Sequence, residues 1–238
     1  MVRKNIFEIF ENKWDIIDEI KRIYYLLNYN SVRSSVNYIS PIEFADIYCF
    51  SEWKNRYSYL NIEDMADDLD IELDEDNIPD NLTTVEILKY LEFAINIIML
   101  CDSKILQENS QYGYNNKYWI LDENIDIALE HLNFCKQELN NEERIILIEK
   151  NPSAIAVAEI VDENTACKVI EYNHYLLKGD IDKKKEILLQ LANKYEGIKS
   201  NIKSLNGKLD DDIGFMLNNI NIRHNNKSGK SKKSMFLK

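Results

Sequence analysis

Apolar residues recur at three- and four-residue steps through most of the chain, the pattern of helices with one buried face. Over residues 5–28, Ile6, Phe7, Phe10, Trp14, Ile17, Ile20, Ile23 and Leu27 share a face, with Glu11, Lys13, Asp18 and Lys21 largely outside it. A polar connector follows to Ser40. Pro41, suited to a first helical turn, opens a second helix continuing from Glu43 to Tyr57, and a short third one covers Asn61 to Leu69. The acids around Asp74–Asp80 read as a solvated loop. Thr83 or Thr84 caps a helix reaching about Gln107, which is apolar around most of its circumference and therefore central and buried. Gln107 to Asn116 is the candidate domain boundary or long loop.

Beyond that boundary the pattern predicts a helix from Asp122 to about Leu139. Arg144–Glu149 is rich in isoleucine, but a single strand has no partner to satisfy its backbone, so it reads as a helix end or extended connector. A long segment runs from Pro152 to Leu177, with a break near Asp162–Thr165 and a stop at Gly179. Asp180 or Asp182 caps the next helix. Its seam of Leu188, Leu191, Tyr195, Ile198, Ile202 and Leu205 suits packing against an antiparallel neighbour. Gly207 separates it from a final helix carrying Leu209, Ile213, Met216, Leu217 and Ile220.

Composition sharpens this picture. The 238 residues include six glycines and three prolines, fewer than turn-rich β folds use, so the expectation is an all-α helical bundle. The net charge of −12 favours solubility and opposes non-specific adhesion to nucleic acid or anionic lipid. It is unevenly spread: residues 63–80 carry ten acids and no base, and Arg223–Lys238 carry six bases and no acid. Cys49, Cys101, Cys135 and Cys167 have no CxxC spacing, which argues for reduced thiols over a disulfide framework or zinc site. The charged N-terminus lacks a signal-peptide core, and no apolar run is long enough to span a bilayer, so a cytoplasmic location without membrane contact is expected.

The candidate chemistry lies at the C-terminus. At 100° per residue, His224 falls within about 20° of Leu217 and about 40° of Ile220. It therefore leaves the apolar seam of the last helix, beside Arg223 and Asn219. An imidazole there can serve as general acid or base, and a neighbouring guanidinium can hold a phosphate. Asn225, Asn226 and Lys227 extend the polar cluster. The structural alternative is a polar helix C-terminus, where cations are favoured anyway. His174, projected beside Cys167, Ile170 and Leu177, is either a core histidine or a substrate contact if folding brings it near His224. His131, next to Glu130, reads as a surface or groove residue. The three histidines lack metal-ligand spacing, and the acidic stretch lacks the pattern of a calcium loop, so neither a metal nor a cofactor is expected.

The segment Phe215-Met-Leu-Asn-Asn-Ile-Asn-Ile-Arg-His-Asn-Asn226 resembles the terminal motif of the HEPN superfamily, specifically its abortive-infection proteins. The family pattern is an arginine, four to six residues, then a histidine. His224 matches the histidine, Asn219 and Asn218 occupy the four- and five-residue spacings, and Arg223 is adjacent to it. The resemblance implies a HEPN-like bundle over residues 113–226, following a helical region over 1–112 and preceding a basic tail over 227–238. It further implies a metal-independent endoribonuclease or RNA-binding effector in phage defence or toxin–antitoxin biology. The expected partners are RNA, a protein antitoxin and a second copy of the chain. In that assignment His224, Arg223 and Asn219 are catalytic, and Asn225, Asn226, Lys227 and His174 contact substrate. The alternative function is a non-catalytic interaction module that docks a partner through its acidic stretch or amphipathic grooves.

Overall fold

Helix starts in this chain are written as short polar caps, and the structure uses them. The computed structural model describes residues 14–34, 37–108, 111–139 and 143–219. Asp15 accepts the N–H groups of Ile17 and Asp18 and starts α1 (Ile16–Asn28). Ser40 caps α2 (Pro41–Tyr48), whose proline sits in the first turn, and Asn61 caps α3 (Ile62–Asp68). Thr83 and Glu86 exchange hydrogen bonds in a capping box at the head of α4 (Thr84–Gln107). Asn115 caps α5 (Asn116–Leu132). Asn151, Asp162 and Asp180 cap α6 (Pro152–Ile160), α7 (Glu163–Tyr172) and α8 (Ile181–Leu205), and α9 spans Gly207–Asn219. The fold is mostly all-α, and no described helix is long and apolar enough to cross a membrane.

Five strands among the described residues depart from the expected pattern. The polar connector before Ser40 holds β1 (Val32–Arg33) and β2 (Tyr38–Ile39). The stretch read as a boundary supplies β3 (Gly113–Tyr114), and the order is β2-β1-β3, all antiparallel. The helix expected from Asp122 to Leu139 starts earlier and stops at Leu132. Asn133 adopts the left-handed conformation (φ 61°), which ends a helix at low cost for asparagine. The following residues form β4 (Phe134–Leu139), which pairs antiparallel with β5 (Arg144–Glu149) from Phe134 opposite Glu149 to Leu139 opposite Arg144. The second helix likewise stops at Tyr48, followed by 3-10 turns at Phe50–Glu52 and Lys54–Arg56.

The chain divides into two compact units, residues 1–150 and 151–238, a division that falls beyond the expected boundary at 112/113. In the first, α4 is the central helix, packed against α1, α2, α5 and β5. Its buried set includes Leu88, Leu91, Ala94, Ile97, Ile98 and Cys101, facing Ile20, Ile23 and Leu27 of α1, Phe44 of α2, and Leu121 and Ile125 of α5. Burying each leucine or isoleucine contributes about 1.5–3 kcal/mol. The acidic segment is more tightly held than a solvated loop. Ile71 and Ile78 are buried, the Tyr90 hydroxyl accepts from Glu72 N (2.9 Å), and Asn28 Nδ2 donates to Leu73 O (2.8 Å).

The second unit is a set of helical pairs, α6 with α7 and α8 with α9. Ala192 and Tyr195 of α8 pack with Leu217 of α9, joined by Leu188, Ile202 and Ile213. Of the expected seam, Leu188, Tyr195 and Ile202 take part, whereas Ile198 and Leu205 are exposed. The Tyr195 hydroxyl donates to the buried Asp210 carboxylate and locks the two helices together. Cys49 and Cys101 of the first unit are buried thiols, and no disulfide joins the described residues.

β5 is viable because α4 satisfies its outer edge. Asn96 Oδ1 accepts from Ile145 N (2.9 Å), Asn96 Nδ2 donates to Ile145 O (2.8 Å), and Glu92 Oε2 accepts from Leu147 N (2.8 Å). Removing the amide leaves two strand groups without those partners, at a cost of about 2 kcal/mol. Asn96→Ala is therefore expected to lower the unfolding free energy by about 2 kcal/mol in a urea titration. A loss below about 0.5 kcal/mol would show that solvent serves the edge equally well.

Candidate functional site

The C-terminal candidates divide between described and undescribed residues. Arg223, His224, Asn225, Asn226 and Lys227 lie outside the described residues, and Asn219 is the last residue of α9. His174 is not on a helical face with Cys167 and Ile170, because α7 ends at Tyr172. It instead opens a 3-10 turn (Tyr175–Leu177). There it is half-buried, its backbone N–H donates to Glu171 O (3.0 Å), and its ring lies 4.5 Å from that of Tyr175. His131, at the end of α5, stacks on Trp14 with ring centroids 4.1 Å apart.

The charge separates with the units. Residues 1–150 hold thirty acids against fourteen lysines and arginines, whereas residues 151–238 hold eleven acids against fifteen. A chain that is acidic as a whole thus ends in a unit of net positive charge. The excess comes from the segment after α9: residues 151–219 hold eleven acids against nine lysines, and Arg223–Lys238 supply the other six bases. Coulombic attraction for a polyanion therefore rests on that segment.

The first unit contains a cleft that periodicity did not reveal. Two adjoining cavities of about 250 and 140 Å³ share Asp102, Leu106 and Asp122, and together run between α4, α5 and the β4–β5 hairpin. The larger is also lined by Ser103, Lys136, Glu138 and Ile145, the smaller by Tyr114, Tyr118 and Trp119. The Tyr118 hydroxyl donates to Asp102 Oδ1 (2.9 Å) and lies 3.1 Å from Ile98 O. Burial raises the Asp102 pKa, and the Tyr118 hydrogen bond offsets only part of that shift. Lys136 Nζ sits 2.7 Å from both Asp122 Oδ1 and Asp126 Oδ1, carboxylates one helical turn apart on α5. Burial works against the Lys136 charge, but the two carboxylates outweigh it and hold the pKa above its ordinary value.

A third cavity, about 370 Å³, lies between α2, α4 and the hairpin, lined by Cys49, Glu52, Trp53, Lys104, Glu138 and Glu143 among others. Burial pushes the Cys49 thiol up to about 12, so this cysteine is protonated at neutral pH and is no nucleophile. Trp53 Nε1 donates to Glu143 O (2.8 Å), tying the hairpin to the 3-10 turns that follow α2.

No family model, curated protein or solved structure matches this chain.

The Asp102 shift carries a signed dependence of stability on pH. The folded state keeps this proton to higher pH than the unfolded chain, so the group's contribution is intact below 3.8 and is lost as pH rises through the folded-state value. The substitution Asp102→Asn keeps an acceptor for Tyr118 and abolishes that loss. The variant is thus expected to gain stability relative to the wild type as pH rises from 3.8, the difference levelling off once the folded carboxyl has ionised. Urea unfolding from about pH 3 to 8 measures it. A difference independent of pH would refute the assigned direction.

Proposed function

We propose that the chain is a HEPN-like, RNA-directed effector whose second unit carries the reactive end, acting as a homodimer in phage defence or toxin–antitoxin biology. The observation that supports this reading most directly is the charge partition. Residues 1–150 hold thirty acids against fourteen lysines and arginines, whereas the six bases of Arg223–Lys238, with no acid among them, surround His224 and give the second unit its net positive charge. The α8–α9 pairing adds support, because it gives the motif a packed helical base at Leu217.

In this reading His224 takes the proton from a ribose 2′-OH. The oxygen attacks the adjacent phosphorus, and Arg223 steadies the charge that develops on the phosphoryl oxygens. The bond to the 5′-oxygen breaks and the proton held by His224 passes to that oxygen, leaving a 2′,3′-cyclic phosphate and a 5′-OH. Asn219 positions the phosphate, and Asn225, Asn226, Lys227 and His174 contact the strand. No step draws on a metal.

A second reading, an interaction module without catalysis, is favoured by the apolar surface of the same helix pair. Phe215 is 67% exposed, and Leu209, Met216 and Ile198 are also exposed. An antitoxin or other protein partner is the natural occupant of such a face under either reading.

The two separate on one comparison. Purified protein incubated with labelled total RNA in EDTA is expected to give discrete fragments with 5′-OH ends. His224→Ala is expected to abolish them while leaving the melting temperature nearly unchanged, and Arg223→Ala to reduce cleavage at least about tenfold. Fragments persisting undiminished in a folded His224→Ala protein would remove His224 from the mechanism, and no fragments from the wild type would favour the interaction module.

A further inference from the structure

The smaller of the two adjoining cavities in the first unit combines features that suit one ligand class. Trp119 is 54% exposed and half-buried Tyr114 lies beside it, their rings at 86° with centroids 4.9 Å apart. Tyr118 backs Tyr114 in a parallel stack (4.9 Å, 6°), so the Tyr114 ring is held in place. Asp102 and Asp122 complete the lining, with Leu106.

We propose that this corner of Trp119 and Tyr114, closed by Asp102 and Asp122, is a binding site for a substituted ammonium head group. The aromatic faces carry negative quadrupole charge and attract a weakly hydrated cation, and the carboxylates add a monopole of the same preference. Among the described residues, Lys136 is the one base lining the two cavities, against Asp102, Asp122 and Glu138, so the cleft keeps a negative balance. Lys136 also engages Asp122 and Asp126, whereas Asp102 receives the neutral Tyr118 hydroxyl.

Size and chemistry narrow the class. The recess of about 140 Å³ leaves room for a compact tetraalkylammonium centre, with the adjoining cavity free for its substituent. A hard metal ion fits poorly. Among the described residues no three His, Cys, Asp or Glu are grouped to hold one, and the exposed wall is aromatic. A neutral alkyl group of the same shape would fill the space but lose the attraction to both carboxylates. The same head group occurs on small quaternary amines and on methylated lysine side chains. This site draws on the first unit alone and stands apart from the RNA reading.

The test is a titration of the full-length ¹⁵N-labelled protein at constant ionic strength, following the indole N–H signals and the backbone amides of residues 113–122, which report binding in the variants that lack Trp119. Trp119→Phe assigns the Trp119 signal. Tetramethylammonium and choline are expected to shift it saturably with a Kd of about 1 mM. The neutral isostere 3,3-dimethylbutanol is expected to bind at least about fivefold more weakly. Trp119→Ala removes the exposed wall and is expected to weaken binding about tenfold, Trp119→Phe less, and Asp102→Asn severalfold. A short peptide carrying trimethyllysine separates the sources: tighter binding than choline identifies a protein side chain as the occupant, weaker binding a small amine. Non-saturating shifts, equal binding of the isostere, or unchanged affinity in a folded Trp119→Ala protein would overturn the proposal.

Discussion

A strand edge buried against a helix has to find donors and acceptors, and here two side chains on α4 supply them. Glu92 and Asn96 stand one turn apart, so both meet the same edge of β5. The primary amide of Asn96 imitates a strand residue by donating to Ile145 O and accepting from Ile145 N. This lets a two-stranded sheet, marginal by itself, sit on a helical core. The hairpin then carries Lys136 to Asp122 and Asp126, and Glu138 into the shared cleft. The cleft exists because the edge is satisfied.

The helices were legible because their signals are local. Ser40 before Pro41, Thr83 with Glu86, Asp162 and Asp180 are caps acting within four residues, and the seam of Leu188, Tyr195 and Ile202 is a one-dimensional pattern. The hairpin was illegible because its signals are not. Leu132, Cys135 and Leu139 continue the helical spacing of α5, and the stop is an asparagine at positive φ where glycine is the usual cue. Arg144–Glu149 did have strand composition. Its partners are what the sequence hides: a segment with helical spacing and an asparagine inside an apolar helix. His174 failed for a similar reason, since a helix ending at Tyr172 turns a helical projection into a wrong one.

The acid–aromatic cleft had one local trace in the sequence. Asp102 follows Leu100 and Cys101 directly, an acid on the buried side of an otherwise apolar stretch of α4. Such a residue needs a buried hydrogen-bond donor, and that donor, Tyr118, lies on the next helix. Tyr114, Trp119, Asp122 and Lys136 give no signal alone, because aromatics and i,i+4 acids are ordinary on a solvated helix face. They form a cleft only after β3 and β4 flank α5. The charge partition, by contrast, is countable in the sequence, because the run of six bases in Arg223–Lys238 carries the whole positive excess of the second unit.

The energetic position of Asp102 bears on why an acid stands there at all. A partly buried carboxylate with a raised pKa opposes folding at neutral pH, and an apolar or amide side chain of similar size would avoid the desolvation cost. Tyr118 offsets that cost only in part, and the nearby Asp122 charge adds to it. Lys136 works in the opposite direction on Asp102, while its direct hydrogen bonds go to Asp122 and Asp126. For purely structural packing this is a poor arrangement. For a site that binds a cation between negative charge and aromatic faces it is the expected one, because the cation relieves the unfavourable self-energy of the partly buried carboxylate.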